Sequence, residues 1–418
     1  MNAAVTASLM GRPVAVTGLG VVAPHGDNPR AVFDALCAGR SAVHLWECAE
    51  LATPAVVASA AFDASRWFSR LQLAGVDRVS QFAVAAAESA RRDARWDPAF
   101  RPERIGVYLG TGLGGAAAIE EAYRRNHQSQ RVPPLTVVAG MTNAPAAHVA
   151  IRAGVTGPVL NYSIACASSS IAIAEAAKAI SCGDIDVAIA GGSEALLVPG
   201  VVRAWQAMQT LATPDACDPS TSSRPFSTTR SGLVLGEGAA ILVLEAHDSA
   251  EARGATIYAE LVGAGISCDA SHMTKPGSAG QIAALNMALA KSGLAPEDVG
   301  YCNAHGTATL VGDVVEAASL RSIWGDALSG LRVSSTKSMH GHLLGAAGAL
   351  EALVTVLAIH EQRLPLNMHC TDQDAACDIP LVRCRSEVVP RLEAAISNSF
   401  AFGGTNSVLV FRRAHGAA

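Results

Sequence analysis

The chain has 418 residues, of which half are apolar and only 16% are charged, and its formal net charge is −5 at pH 7. This length predicts two or more structural units, and the apolar fraction indicates a well-buried globular protein rather than a disordered one. The acidic balance, without any run of Lys or Arg, argues against nucleic-acid binding.

The ten cysteines form neither a metal-binding pattern nor a disulfide pattern. No CxxC pair occurs, and the spacing of seven between Cys370, Cys377 and Cys384 matches no zinc site. Residues 1–13 lack the charged and apolar segments of a signal peptide. We therefore expect reduced thiols, no bound metal and a cytoplasmic location.

Two glycine patterns occur in the first part of the chain. A short buried strand at residues 13–18 leads into GLGVVA, and a second strand at residues 105–109 is followed by Gly110, Gly112 and Gly115. Both match the loose dinucleotide-binding pattern, so a nucleotide-dependent oxidoreductase stays open as an alternative. Such glycines more often permit close backbone packing.

A cysteine near the middle of the chain lies at a predicted strand–turn–helix junction. Residues 158–160 predict the end of a buried strand, and an Ala/Ile-rich helix begins at Ser168 and ends before Gly183. Cys166 therefore lies near a helix N-terminus, where free N–H groups and the helix dipole stabilise a thiolate. A buried structural cysteine explains this stretch equally well.

The remaining pattern alternates short apolar strands with helices in two similar parts. Further helices are predicted at 77–92, 142–153, 281–292 and 343–359, further strands at 185–192, 236–245, 256–263, 331–335, 395–399 and 408–411, and a surface excursion at 212–231. We predict an α/β protein with two halves, 1–250 and 251–418, and mixed, mostly parallel sheets. The helix at 343–359 contains Glu351 and is short for a membrane span, so we expect a core helix and no membrane contact.

Several reactive side chains lie at predicted strand ends and helix starts. They are Cys166, His305 in AHGTAT, Lys337 and His342 in STKSMHGHLLG, and the loop FGGTN at 402–406. Each alone has a simpler explanation, such as a turn cap or an exposed strand-end lysine. Together, a thiol at a helix N-terminus, two histidines and a lysine are the groups needed for acyl transfer through a thioester.

These motifs carry a resemblance that covers nearly the whole chain. VAVTGLGVVAPHG, ACASSS, GGSEA, RPF, LGEGA, HGTATLVGD, STKSMHGHLLGAAGALE and NSFAFGGTN occur in this order. The chain resembles β-ketoacyl-acyl carrier protein synthases of the elongating Cys-His-His type, in the thiolase superfamily. Initiating synthases carry Asn where this chain has His342, and degradative thiolases carry a second cysteine in the C-terminal glycine loop.

The resemblance implies a thiolase-like fold, a layered α-β-α-β-α sandwich, and 3-oxoacyl-[acyl-carrier-protein] synthase activity. Cys166 is expected to accept the acyl chain, and His305 and His342 to stabilise the enolate formed when malonyl-carrier protein loses CO₂. Lys337 is expected to pair with Glu351 and to set the charge state of the histidines.

Further roles follow from the same resemblance. The N–H groups of Cys166 and Phe402 are expected to form the oxyanion hole, and the Phe402 ring to gate the acyl pocket. The two glycine patterns become packing turns. Positions implied in substrate binding are Thr307, Thr309, Leu113, Phe226, Gly403 and Gly404.

The resemblance implies no tightly bound cofactor, because the phosphopantetheine arm of an acyl carrier protein delivers the substrates. It also implies a homodimer, or a heterodimer with a ketosynthase-like partner, through the stretch 131–150. The basic residues that usually dock the carrier are largely missing, and Arg66, Arg70 and Arg78, or a partner subunit, are expected to replace them.

The missing basic residues, and His340 at a position where threonine is common in the family, favour a specialised polyketide or polyene pathway over fatty-acid synthesis. A ketosynthase subunit beside a chain-length factor is the alternative. A non-catalytic chain-length partner is disfavoured, because such partners usually lack the cysteine.

Overall fold

The structure is a computed structural model that describes residues 11–97, 99–389 and 391–414. Its α-helices are α1 (Pro29–Cys37), α2 (Arg78–Asp93), α3 (Ala116–His127), α4 (Thr136–Gly140), α5 (Ala144–Ala153), α6 (Ser168–Ser181), α7 (Pro199–Ala207), α8 (His247–Ala252), α9 (Ser278–Ser292), α10 (Gly312–Trp324), α11 (Lys337–His340) and α12 (Ala347–Glu361). Its strands are β1 (Val14–Val22), β2 (His44–Trp46), β3 (Ala55–Ala58), β4 (Ile105–Gly110), β5 (Val159–Tyr162), β6 (Val187–Glu194), β7 (Leu235–Gly236), β8 (Gly238–Ala246), β9 (Ala259–Cys268), β10 (Tyr301–Asn303), β11 (Arg332–Ser334), β12 (Arg363–Leu364), β13 (Glu387–Val388), β14 (Ala394–Phe400) and β15 (Thr405–Arg412).

Ten of these strands form one sheet in the order β11-β10-β14-β15-β9-β1-β8-β6-β4-β5. The two halves of this order repeat one topology. When the five strands of each half are numbered by their order along the chain, the strands met from the outer edge inward are the third, second, fourth, fifth and first in both halves. The halves meet where β1 pairs antiparallel with β9, from Val14 opposite Leu261 to Val16 opposite Ala259. The two similar halves are therefore confirmed, while the predicted boundary at residue 250, within α8, stays a prediction.

The sheet is mixed, as predicted, but the expectation of mostly parallel pairing is wrong. Parallel pairing is confined to the three outer strands of each half, β6-β4-β5 and β14-β10-β11. The inner pairs are antiparallel. In the second half this follows from a tight turn at 401–404, because strands joined by a hairpin run in opposite directions.

Helices form three layers around the two half-sheets. α6 and α12 pack against each other between them, α2 and α5 cover the first half, and α9 and α10 cover the second. In α12, all residues from Ala347 to Ile359 are buried. The stretch Leu344–Glu361 has the length and hydropathy of a membrane span, but 89% of it is buried inside the protein. It is therefore a core helix, as predicted.

The first glycine pattern lies inside β1 and not in a turn, which corrects the expected end of this strand at residue 18. A Cβ atom on Gly18 would overlap the carbonyl oxygen of Ala90, and one on Gly20 that of Ala86. These glycines therefore let α2 lie directly on the strand.

Two burial expectations are wrong. β5 is an edge strand, so Val159 and Leu160 are 40% and 44% exposed although their sequence is that of a buried strand. The stretch 212–231 is not simply a surface excursion, because Phe226 is fully buried and the buried Arg230 bonds to Asp374. The long loop after α7 thus packs back against the second half of the chain.

Candidate active site

Cys166 lies in the turn between β5 and α6. Ala165 has a φ of +44°, which is uncommon for a residue with a side chain, and the hydroxyl of Ser168 accepts the N–H of Ile164 at 2.7 Å. The same hydroxyl donates to the carbonyl of Ala165 at 2.7 Å. This turn directs the Cys166 side chain into a cavity of about 310 Å³.

His342 contacts the cysteine directly, with Nε2 at 2.9 Å from the Cys166 sulfur. Its Nδ1 accepts the N–H of Leu344 at 3.3 Å. A neutral imidazole with an accepting Nδ1 carries its proton on Nε2. Burial, and then the charge of Lys337, lower the pKa of His342 well below its usual range. The ring is therefore neutral and donates its Nε2–H to the sulfur.

His305 completes the group around the sulfur. Its ring centroid lies 5.4 Å from that of His342, and the sulfur and one nitrogen of each ring lie within 4.8 Å of one another. Burial, Lys337 and His342 lower the pKa of His305 well below its usual range. Among the residues that the structure describes, nothing hydrogen-bonds its Nδ1.

The main chain around His305 is held by a buried carboxylate. Glu316 accepts the N–H of His305 at 2.8 Å and that of Gly306 at 2.7 Å. It also accepts the side-chain amide of Asn398 at 3.1 Å. The histidine loop is thus tied both to α10 and to β14.

Lys337 and Glu351 form an ion pair that is almost fully buried. Burial raises the pKa of Glu351 to about 7, although Lys337 opposes this shift. The same ammonium group lowers the pKa of both histidines. The pair therefore places a positive charge where it favours neutral imidazoles.

The expected low-pKa thiol is wrong for the resting site. Burial raises the pKa of Cys166 to about 12, and the lowering by Lys337 and by the Phe402 N–H is smaller. Desolvation of the anion outweighs the stabilising groups around it. The resting site therefore holds a neutral thiol beside two neutral imidazoles.

The backbone N–H groups of Phe402 and of Cys166 itself lie beside the nucleophile. The N–H of Phe402 points at Cys166, and neither it nor the Cys166 N–H donates to a carbonyl of the described backbone. The loop is tied at Gly403, whose N–H donates to the Met273 carbonyl at 2.8 Å, while the ring of Phe402 stacks on Trp205 with centroids 5.9 Å apart. Two free donors beside a nucleophile have the form of an oxyanion hole.

The expected substrate-binding positions divide into two groups. Thr307, Thr309 and Gly404 line the cavity, and the two threonine hydroxyls lie 3.1 Å apart. Gly403 and Leu113 do not line it, and Leu113 is 54% exposed in this chain.

Phe226 requires a correction, because it is fully buried and does not line the cavity. A Cβ atom on Gly306 would lie 2.9 Å from its ring, so Phe226 supports the His305 loop from behind.

Three arginines are expected to dock a carrier, and for Arg78 this expectation is wrong. Its guanidinium donates to both carboxylate oxygens of Glu237, at 3.0 and 2.7 Å, and stacks over Phe82. Arg66 pairs with Asp27, and Arg70 is exposed.

Sequence reasoning missed three residues of the site: Glu194, Trp205 and Glu316. Glu194 ends an apolar strand two residues after a glycine pair, and a charge in that position was the available signal. The roles of Trp205 and Glu316 depend on contacts across the fold, so no local pattern marked them.

A cysteine, two histidines and two free N–H groups around one cavity, in a fold of two similar halves, define a condensing enzyme of the thiolase-like class. Residues 11–250 match the family model "Beta-ketoacyl synthase, N-terminal domain", and residues 258–371 match "Beta-ketoacyl synthase, C-terminal domain". The chain belongs to the β-ketoacyl synthase family.

Relatives of the chain match it over nearly its whole length. It is 41% identical to nodulation protein E of Rhizobium meliloti (strain 1021), over 97% of this chain and 100% of that protein. It is 37% identical to 3-oxoacyl-[acyl-carrier-protein] synthase 2 of Vibrio cholerae serotype O1, over 96% and 99% of the two chains. The solved ishigamide ketosynthase/chain length factor is 30% identical, with a TM-score of 0.89 over 97% and 100% of the two chains.

Proposed function

We propose that the chain is an elongating 3-oxoacyl-[acyl-carrier-protein] synthase. It takes an acyl chain onto Cys166 and joins it to the two-carbon unit of malonyl-carrier protein. The observation that carries this proposal is the contact of the Cys166 sulfur with a neutral His342, beside His305 and the free N–H of Phe402.

In the first half-reaction, the Cys166 sulfur attacks the carbonyl carbon of an acyl-carrier thioester. A new carbon–sulfur bond forms, the carrier's sulfur leaves, and the thiol proton of Cys166 ends on that departing thiol. The N–H groups of Cys166 and Phe402 stabilise the oxyanion, and one such donor typically contributes about 2.7–4 kcal/mol. The Nε2–H of His342 stabilises the sulfur anion as it forms.

In the second half-reaction, malonyl-carrier protein loses CO₂, and the electron pair of the broken bond becomes an enolate. Imidazole N–H groups of His305 and His342, both neutral because burial lowers the pKa of each ring, stabilise the enolate oxygen. The enolate carbon then attacks the acyl group on Cys166. A carbon–carbon bond forms, the cysteine sulfur leaves as a thiolate that takes a proton from water, and the carrier holds a 3-oxoacyl chain longer by two carbons.

The lining of the cavity supports delivery of substrates by a carrier-bound arm, and the absence of a tightly bound cofactor stays a prediction. Its mouth includes the exposed side chains of Leu310, Val311 and Met273, and Thr307 and Thr309 lie inside it. Hydroxyl groups in such a channel suit the amides of a phosphopantetheine arm. A cytoplasmic location stays a prediction from cysteine usage.

The second candidate is a ketosynthase subunit that works beside a chain-length-factor-like partner in polyketide or aryl-polyene-type synthesis. The solved ketosynthase/chain length factor relative and the exposed apolar residues of β5 favour it. Solution mass with and without co-expressed candidate partners separates the two, because a homodimer active alone would exclude the second.

The central test is acylation of Cys166 followed by intact-protein mass spectrometry. Wild type incubated with acyl-carrier protein is expected to gain one acyl group, and Cys166→Ala none. Cys182→Ala, which removes an exposed cysteine, is the matched control and is expected to behave as wild type. An acyl adduct on Cys166→Ala would refute the assignment.

The same variant tests the division into half-reactions. Cys166→Ala is expected to lose condensation but to retain decarboxylation of malonyl-carrier protein, because both histidines remain. Release of CO₂ from labelled malonyl-carrier protein measures this step, and its complete loss would argue against the role of the histidines.

A further inference from the structure

The carboxylate of Glu194 is fully buried and accepts four hydrogen bonds. Its oxygens accept the N–H groups of Gly112 at 2.6 Å, Gly345 at 3.0 Å and Leu113 at 3.4 Å, and the hydroxyl of Thr111 at 3.2 Å. It forms no ion pair with any Lys, Arg or His that the structure describes. Four neutral donors therefore offset part of its lost hydration, although burial still raises the pKa of Glu194 to about 7.

These bonds explain the second glycine pattern. The N–H groups after β4 have the arrangement that would cradle an anion, and the anion they hold is the side chain of Glu194. Space for a separate phosphate is absent from this part of the described structure, because a Cβ atom on Gly345 would overlap the Gly112 nitrogen. The pattern thus joins the loop at 111–115 to the segment that follows His342.

The link to His342 passes through two residues. Glu194 accepts the N–H of Gly345, and the preceding residue, Leu344, has a φ of +48°, a conformation that costs free energy and persists only where its surroundings hold it. In this conformation the Leu344 N–H reaches Nδ1 of His342. That bond is what places the imidazole proton on Nε2, facing Cys166.

We propose that Glu194 is a positioning residue that fixes the Nε2–H tautomer of His342 through Gly345 and Leu344. It also couples this histidine to the loop that contains Gly112 and Leu113. Without the carboxylate, the Leu344 N–H loses its orientation and the imidazole can place its proton on either nitrogen. The consequence for condensation rests on the proposed function, whereas the effect on Cys166 does not.

The test is the pH profile of Cys166 alkylation by iodoacetamide, read by peptide mass spectrometry with the exposed Cys182 as internal reference. The Nε2–H of His342 stabilises the thiolate, so its loss raises the pKa of Cys166. For Glu194→Ala we expect the profile to move to higher pH and alkylation at neutral pH to slow roughly 5- to 100-fold. This range corresponds to the usual cost of leaving buried hydrogen-bond donors without their acceptor.

Two variants distinguish positioning from general damage. Glu194→Gln can keep its oxygen toward Gly112 and Gly345 and turn its amide toward the Thr111 hydroxyl, losing only the long Leu113 bond, so it is expected to restore most of the wild-type profile. Thr111→Val removes the hydroxyl bonds to Glu194 and to the Gly114 N–H but leaves the glycine contacts of Glu194, and it is expected to match wild type. If Glu194→Ala does not fold, Glu194→Asp, whose carboxylate cannot reach both glycines, is expected to give an intermediate shift.

A folded Glu194→Ala or Glu194→Asp with the wild-type alkylation profile would overturn the proposal. A spectroscopic check is the ¹⁵N chemical shift of the His342 ring, which is expected to indicate one tautomer in wild type and a mixture in Glu194→Ala. If these shifts occur while wild type fails to condense carrier-bound substrates, the positioning role stands and the proposed function fails.

Discussion

At the scale of single residues, the site is defined by the charge states that burial imposes. The Cys166 thiol and both imidazoles are neutral, and the nearest cation is the ammonium of Lys337 in its pair with Glu351. Each neutral imidazole keeps one N–H that can donate to an enolate oxygen. The buried ion pair therefore acts on the chemistry through the pKa values of its neighbours.

Lys337→Met tests this effect. Removing the ammonium raises the pKa of His305 and His342, so the acid limb of the pH–rate profile for malonyl-carrier decarboxylation is expected to move to higher pH. In wild type, the active neutral rings persist below the usual histidine pKa of 6.5, so the rate is expected to be nearly flat from about pH 6.5 to 8.

The same variant leaves Glu351 buried without its partner, which typically costs about 3–5 kcal/mol of unfolding free energy. Thermal unfolding measures this cost, and Lys337→Met/Glu351→Leu is expected to recover much of it while keeping the shifted acid limb. An unchanged acid limb in the folded double variant would argue against the role of Lys337.

At the scale of elements, the turn at 401–404 and helix α7 meet beside Cys166. The turn at 401–404 places the Phe402 N–H at the sulfur, and its ring stacks on Trp205 near the end of α7. The rings are inclined by 24°, and both line the cavity. An aromatic stack contributes about 0.5–1.5 kcal/mol beyond its buried area, so this contact stabilises the loop position described here.

Trp205→Leu keeps an apolar side chain but removes the stack. We expect Cys166 to be acylated roughly 2- to 10-fold faster by a long acyl-carrier substrate, since that stacking free energy no longer opposes opening. Quenched-flow mass spectrometry measures the rate. Trp96→Leu, whose ring contacts Phe100 in another part of the core, is the control. Equal rates in wild type and Trp205→Leu would contradict the gating role of this contact.

At the scale of the whole molecule, one face of the first half remains uncovered. Val137 on α4 is 73% exposed, Ile151 on α5 is 79% exposed, and the edge strand β5 presents Val159 and Leu160. A contiguous apolar face beside an unpaired strand edge is typical of a protein–protein interface. Another copy of the chain, or a similar subunit, fits this face.

Ile151→Asp tests the interface by placing a charge in its apolar part. We expect it to weaken the dimer, because burying an unpaired carboxylate is unfavourable. Analytical ultracentrifugation over a concentration series measures the shift toward monomer. Val388→Asp on the separate strand β13 is a matched control at an equally exposed position, 78% against 79%. An unchanged dimer in Ile151→Asp would place the interface elsewhere.

Much of the site was predictable because its parts are local. Cys166 before an Ala-rich helix, His305 after a strand and His342 before the apolar helix each belong to a short motif, and the structure brings all three together. Phe226 was assigned to substrate binding because its motif could be recognised but its burial behind Gly306 could not. The role expected for Leu113 in substrate binding was not predictable in this way, because Leu113 lies on a loop and its side chain is half exposed.

The sequence by itself determined the type of chemistry and the order of strands and helices, since both depend on residue identity and on short-range periodicity. Only the tertiary structure decided which strands pair in parallel, which edge is exposed and which protons the site holds. The tautomer of His342, the neutral thiol of Cys166 and the bonds of Glu194 all depend on contacts between residues far apart in the chain. Desolvation and hydrogen-bond geometry are properties of the packed fold, and no local pattern contains them.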